Sequence, residues 1–314
     1  MRALQIATAL ITVLAAATLP SAPAVVSLSA GQRQANTPSV DLVELGVTVV
    51  DRNGAPVHGL TKDDFELKEE GRTRPLVTFS EVAAGQEDSA DSRTIIVLLD
   101  DVGIPETGTL AIQTIANLVV DFVDRFDRVA VVRLSKENDA AFGDLLDART
   151  RIRDYRAGIQ PFVPPLASEM ALTRIGAIAR DVMTSDAGRK IVVCIGSSSV
   201  CNVRAPQPLS PRHIYERWVE ALTESARASL SVYAIIPGRY QMRADSLIEA
   251  TGGELFATSS DVVPAIQRVL QDANNYYLLG YWPDANGKRR DTYSIQVKST
   301  RKDVTVNARH QRGN

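Results

Sequence analysis

The run Ile95-Ile-Val-Leu-Leu99, followed at once by Asp100-Asp101, limits the possible folds of this chain more than any other stretch. Five consecutive apolar residues leave no polar face, so a strand built from them must be covered on both sides. That is the position of a central strand in an α/β sheet with helices above and below. In open sheets of this kind ligands gather at the carboxyl ends of the strands, which is where the two acids fall. The following sequence alternates helical and extended periods. Ile115, Leu118, Val119, Phe122 and Phe126 recur at helical spacing, and apolar runs at 128–134, 190–195, 230–236 and 276–281 read as further strands. A weak edge strand is expected at 141–146, and helices over about 214–229 and 262–274. Ser168 is expected to cap a third helix that ends near residue 184. Alternation of this type implies a largely parallel sheet.

Both ends of the chain read differently. Residues 40–50 form a strand pattern with Leu45, Val47 and Val49 on one face, and Asn53-Gly54 marks a turn. Residues 61–64 suit one capped helical turn, before two further strands at 65–69 and 76–82. Beyond Pro283, Tyr293, Ile295 and Val297 alternate with polar residues, and Val304, Val306 and Ala308 repeat the pattern. At least three strands at one end and two at the other lack a partner sheet. Packing them together would bury both apolar faces in one composite β-sandwich; two separate β appendages are the competing arrangement.

The first segment stands apart from this fold. Arg2 precedes an apolar run over 3–19, and small residues at Ala22 and Ala24 match what a signal peptidase reads. Cleavage after Ala24 and export to the periplasm or beyond are expected, with an uncleaved membrane anchor as the alternative. No later run is long and apolar enough to span a bilayer, so no membrane span is expected once the signal is removed. The expected organisation is a signal over 1–24, a linker over 25–39, β segments over 40–84 and 284–311, and an α/β domain over 92–283. Cys194 and Cys201 are the only cysteines. In an oxidising compartment a bridge closing so short a loop stabilises by about 2–3 kcal/mol; one buried thiol and one loose thiol is the other reading. Net charge is −2 and aromatic content 5%, with no basic stripe or stacking platform, so nucleic acid is not an expected partner.

Several segments in this order resemble the VWFA-related family, exported bacterial proteins with a von Willebrand factor A-like domain, abundant in acidobacteria. They are the 50–66 segment beginning Val50-Asp-Arg-Asn-Gly, the strand end Ile96-Val-Leu-Leu-Asp-Asp101, Asp127-Arg-Val-Ala-Val-Val132, Ala250-Thr-Gly-Gly-Glu254, and Asn275-Tyr-Tyr-Leu-Leu-Gly-Tyr281. The resemblance covers nearly the whole chain after the signal. It implies a Rossmann-like domain with a mostly parallel six-stranded sheet, in the order 3-2-1-4-5-6, and helices on both faces. It also implies a divalent cation held at the top of the sheet by Asp-x-Ser-x-Ser, a Thr from a later loop, and a later Asp-Gly. Here Asp100 matches the first acid, but Val102 and Ile104 stand at the serine positions and Gly196-Ser197 near the second acid. Ser168 or Thr173 is the nearest match to the threonine. A hard ion such as Mg²⁺ needs oxygen donors at those places, so the expected site is degenerate and no cofactor is expected. Any residual metal would fall to Asp100 and Asp101.

Other chemistry finds little support. Ser197-Ser198-Ser199 follows a strand, but a nucleophilic serine needs a base in reach, and only His213 is near in sequence. No Gly-x-Ser-x-Gly elbow or phosphate-binding glycine loop occurs. The expectation is therefore an exported, non-enzymatic binding protein that meets a protein or cell-surface ligand through its loops. The candidate contact residues are Asp100, Asp101, Ser135, Ser168, Ser197 and Ser198, within loops at 100–109, 135–139, 161–168 and 197–212. Mg²⁺-dependent adhesion through Asp100, Asp101, Ser135 and Ser197 is the first alternative, and a hydrolase the second.

Overall fold

The computed structural model describes residues 42–83, 93–124, 127–136, 142–158, 163–184, 189–238, 245–258, 261–284 and 290–313. The expected signal and linker, Phe126, and parts of the candidate loops (137–139 and 161–162) lie outside the described residues. Residues Val40–Asn314 form one compact unit.

The amino-terminal strands are β1 (Val43–Val50), β2 (Phe65–Glu69), β3 (Arg72–Arg74) and β4 (Leu76–Val82). The central region follows with β5 (Thr94–Leu99), α1 (Thr109–Asp121), β6 (Arg128–Arg133), β7 (Phe142–Gly143), α2 (Leu145–Arg153) and α3 (Pro164–Val182). It continues with β8 (Lys190–Ile195), α4 (Ser198–Cys201), α5 (Arg212–Arg227), β9 (Leu230–Pro237), α6 (Leu247–Thr251), β10 (Leu255–Thr258) and α7 (Val263–Asn274). The chain closes with β11 (Tyr276–Tyr281), β12 (Thr292–Ser299), β13 (Thr305–Ala308) and β14 (Gln311–Gly313).

Six strands form a mixed central sheet in the order β10-β9-β8-β5-β6-β7, parallel throughout except for β7. Every residue of β5 is buried. Because alternate side chains leave a strand on opposite faces, its apolar run serves two cores. Ile95, Val97 and Leu99 pack with Ile112, Val119 and Ile266 of α1 and α7. Ile96 and Leu98 pack with Leu172, Ile175 and Leu222 of α3 and α5. The two hydrophobic layers explain why this stretch shows no polar face in sequence.

The remaining strands build two four-stranded antiparallel sheets, β13-β1-β11-β4 and β14-β12-β2-β3. They share one core that includes Leu45, Val47, Leu67, Tyr277, Leu279, Tyr281 and Ile295. Phe65 and Tyr277 bring their ring centroids to 5.3 Å across it. Glu69 is buried there and is fully engaged: it accepts from the Tyr281 hydroxyl at 3.0 Å and from Arg312 Nη2 at 2.6 Å.

Three expectations are corrected. The strand at 276–281 does not enter the central sheet: β11 lies between β1 and β4, and β10 takes the edge place beside β9. Both faces of β11 carry apolar residues, so periodicity could not say which sheet would receive it. Ser168 does not cap α3, which starts at Pro164 with proline in its first turn. Proline fixes φ near its helical value and gives up an N–H that has no intrahelical partner there. The segment expected as an edge strand over 141–146 yields only the two-residue β7 before α2 begins, capped by Asp144, whose side chain accepts from Asp147 N.

Candidate functional site

At the carboxyl end of β5, Asp100 and Asp101 turn toward different neighbours. Asp100 is fully buried. Its Oδ1 accepts from Val102 N at 3.1 Å and Gly103 N at 2.5 Å. Its Oδ2 accepts from Ser197 N at 2.9 Å and Ser197 Oγ at 2.6 Å. A carboxylate offers about four lone-pair directions, and here the chain itself fills four. Asp101 turns the other way, to the end of β6, where it accepts from Ser135 N at 3.0 Å and Ser135 Oγ at 2.6 Å. Burial raises the Asp101 carboxyl above the ordinary aspartate value, the Ser135 hydrogen bonds oppose that rise, and the charge of Asp100 adds to it. Neither Asp100 nor Asp101 caps the following helix. The cap of α1 is Gly108, with no side-chain bond. The acids instead tie β5 to its two flanking strands.

The chain packs closely on Asp100 at two glycines. A Cβ on Gly196 would stand 2.1 Å from Asp100 Cβ, and one on Gly103 would stand 2.2 Å from Ser197 Oγ. Beneath the acids, Tyr155 donates its hydroxyl to the Asp100 carbonyl at 2.6 Å. Burial, followed by the charges of Asp100 and Asp101, pushes that hydroxyl far above the usual tyrosine range. Sequence reasoning passed over Tyr155, because a single aromatic residue after α2 carries no periodic signal.

The other expected residues lie at the same edge but not in one cluster. Ser168, on α3, donates to the Ser199 carbonyl at 2.8 Å. Ser198 opens α4 and is half-buried. A disulfide joins Cys194 of β8 to Cys201 of α4, with Cα atoms 5.4 Å apart, and so closes the loop that carries Ser197. Val102 is buried in the core, and Ile104 packs partly buried against the opposite one, so neither serine position of the motif offers a donor.

What the arrangement can do chemically is narrow. The Ser197 hydroxyl donates to a carboxylate, while His213 faces Glu169 at 3.7 Å and His58 faces Glu81 at 2.8 Å. No Ser–His pair forms among the described residues. Nor do the described residues gather three or more His, Cys, Asp or Glu side chains at metal-binding distances. What the edge does present is apolar surface. Leu110 in the first turn of α1, Val163 and Leu166 at the start of α3, and Leu209 before α5 are all exposed, Leu209 by 97%. Helices that return along a parallel sheet begin at the carboxyl ends of its strands, so all four stand on that edge.

No family model matches the chain, and no curated protein matches it. Among solved structures it is similar to the TFIIH p34 N-terminal domain, with 12% identity over 58% of this chain and 98% of that one, at a TM-score of 0.30. A likeness that distant carries no argument, and the mixed α/β architecture stands on its own sheets and cores.

Proposed function

We propose that this chain is an exported, non-enzymatic binding protein with an A-like α/β domain that meets a protein partner through the loops at its strand carboxyl ends, without a bound metal. The observation that carries the reading is the Asp100 carboxylate, whose four hydrogen bonds all come from the chain. An acid so engaged can neither act as a base nor ligate an ion without giving up bonds that close its own loop. Numbering only the central strands in chain order gives 3-2-1-4-5-6, the order implied by the resemblance, and this supports the A-like reading. The apolar run over 3–19 supports export, as does a disulfide, which persists in oxidising compartments. The exposed Leu110, Leu166 and Leu209 support this edge as the contact surface.

Two measurements test the proposal together. Calorimetry with Mg²⁺ and Mn²⁺ is expected to give no saturable heat; micromolar binding abolished by Asp100→Ala would replace this reading with cation-dependent adhesion. Capture of partners from envelope extracts is expected to survive a chelator and to fail for the Leu110→Asp/Leu209→Asp double variant. Capture indifferent to that variant would place the contact elsewhere.

A further inference from the structure

A polar cavity lies at the opposite edge of the central sheet, where β8 and β9 begin beside the sheet that holds β1 and β11. It encloses about 220 Å³, and its polar lining includes Glu44, Arg189, Lys190, Ser229, Ser231 and Arg309. Arg189 is only 5% exposed and Arg309 only 6%. The Arg189 guanidinium lies over the Tyr276 ring, 4.7 Å from its centroid, and donates to Ser231 Oγ at 3.5 Å. Its Nη1 fills the space in which a Cβ on Gly46 would stand 2.3 Å away, so a glycine at that point of β1 makes room for the cation. Arg309 donates from Nη2 to the carbonyls of Ser225 and Leu230, both at 3.0 Å.

One donor on each arginine is left over. Arg189 Nε and Arg309 Nη1 are buried and make no hydrogen bond among the described residues. The Tyr233 hydroxyl, buried and likewise unbonded, lies near enough to the Arg189 guanidinium for that cation to offset part of the rise that burial gives its pKa. Leaving a buried charged donor unmatched costs stability, and here two such donors belong to arginines that line one cavity. The charges around them are unbalanced as well. Glu44, exposed at the cavity, is the one acidic residue of its lining among the described residues. Asp272 feels the charge of Arg189, but its carboxylate pairs with Arg268 at 3.4 Å. Burial and the neighbouring Arg189 pull the Arg309 guanidinium down to about 10.

We propose that this cavity binds a small oxyanion of the phosphate class, which accepts from the guanidinium groups of Arg189 and Arg309 that line it. Guanidinium groups match phosphate oxygens in a fixed fork geometry, and their hydrogen bonds to an ionised acceptor are among the strong ones. The Tyr276 ring and the bare Cα of Gly46 hold the Arg189 plane in place, so little ordering is needed on binding. The volume accepts a tetrahedral anion with a short substituent, which makes inorganic phosphate and a small phosphate monoester the two sources to separate.

The test is calorimetric titration of the full chain with inorganic phosphate and, separately, with glycerol phosphate, against chloride at matched ionic strength. Saturable binding of either is expected, and the tighter of the two identifies the source. Arg309→Met is expected to abolish it. Ser229→Asp provides a variant that keeps the core untouched, because Ser229 is exposed and its φ of 53° is one that aspartate tolerates. A fixed carboxylate there should weaken binding by at least about tenfold, equivalent to one lost charge-assisted hydrogen bond. No saturable heat with either anion, or a smaller loss in Ser229→Asp, would overturn the proposal.

Discussion

The two edges of the central sheet bury opposite charges and treat them in opposite ways. At the carboxyl edge, Asp100 has four donors from its own chain and Asp101 has two. At the amino edge, Arg189 and Arg309 each keep a buried donor that makes no hydrogen bond among the described residues. The edge where α/β proteins usually bind ligands is thus the one closed by internal bonds, and the edge usually given over to structure is the one left open. A buried charge is evidence of a ligand only when the fold has not already supplied its partners.

The largest expected effect lies at the closed edge. Asp100→Ala strands the N–H groups of Val102, Gly103 and Ser197 together with the Ser197 hydroxyl, and should lower stability by about 3–5 kcal/mol in urea unfolding. A stable Asp100→Ala protein would break the comparison, since the carboxylate would then be free for other work.

Next comes the pH dependence set by Asp272, the acid that senses both Arg268 and Arg189. Burial raises its carboxyl from 3.8 to about 6, against the pull of Arg268. A carboxyl whose folded pKa is raised opposes folding once it ionises, because the native state holds the proton more tightly than the unfolded chain. Its contribution is therefore most favourable below pH 4, and declines by up to about 3 kcal/mol as pH rises to 6. Asp272→Asn should gain on the parent protein across that window in urea titrations at successive pH values. A difference independent of pH would show that Asp272 is compensated, and would weaken the case for excess positive charge at the amino edge.

A smaller effect tests what holds the Ser197 loop. Cys201→Ser opens a bridge between residues seven apart and should cost about 2 kcal/mol on the chain-entropy estimate, read as a lower unfolding midpoint. No change would mean that Asp100 alone fixes the loop.

Much of the fold was legible in the sequence because local rules agree there. The bounds of β2, β4 and β8 are those read from apolar runs between turn residues. The helix α2 was missed because only Ala148 and Ile152 of its nine residues are buried, too few to make a stripe. At the candidate site the acids, Ser135 and Ser197 were legible as residues at strand ends, but their pairing was not. Which serine meets which acid depends on which strands flank β5. Tyr155 and the arginine cavity gave no signal at all: Glu44, Arg189 and Arg309 are scattered over most of the chain and meet only through folding.

By itself the sequence determined the two-sided burial of β5, the alternation of strand and helix after it, and the poverty of oxygen donors at positions 102 and 104. Those follow from side-chain chemistry and short-range periodicity, which need no partner to be read. Only the tertiary structure decided that β11 joins β1 and β4, that the acids are spent on Ser135 and Ser197, and that two guanidiniums are buried side by side. Each of those depends on contacts between residues far apart in the chain, where burial removes water and leaves a polar group only the partners that the fold supplies.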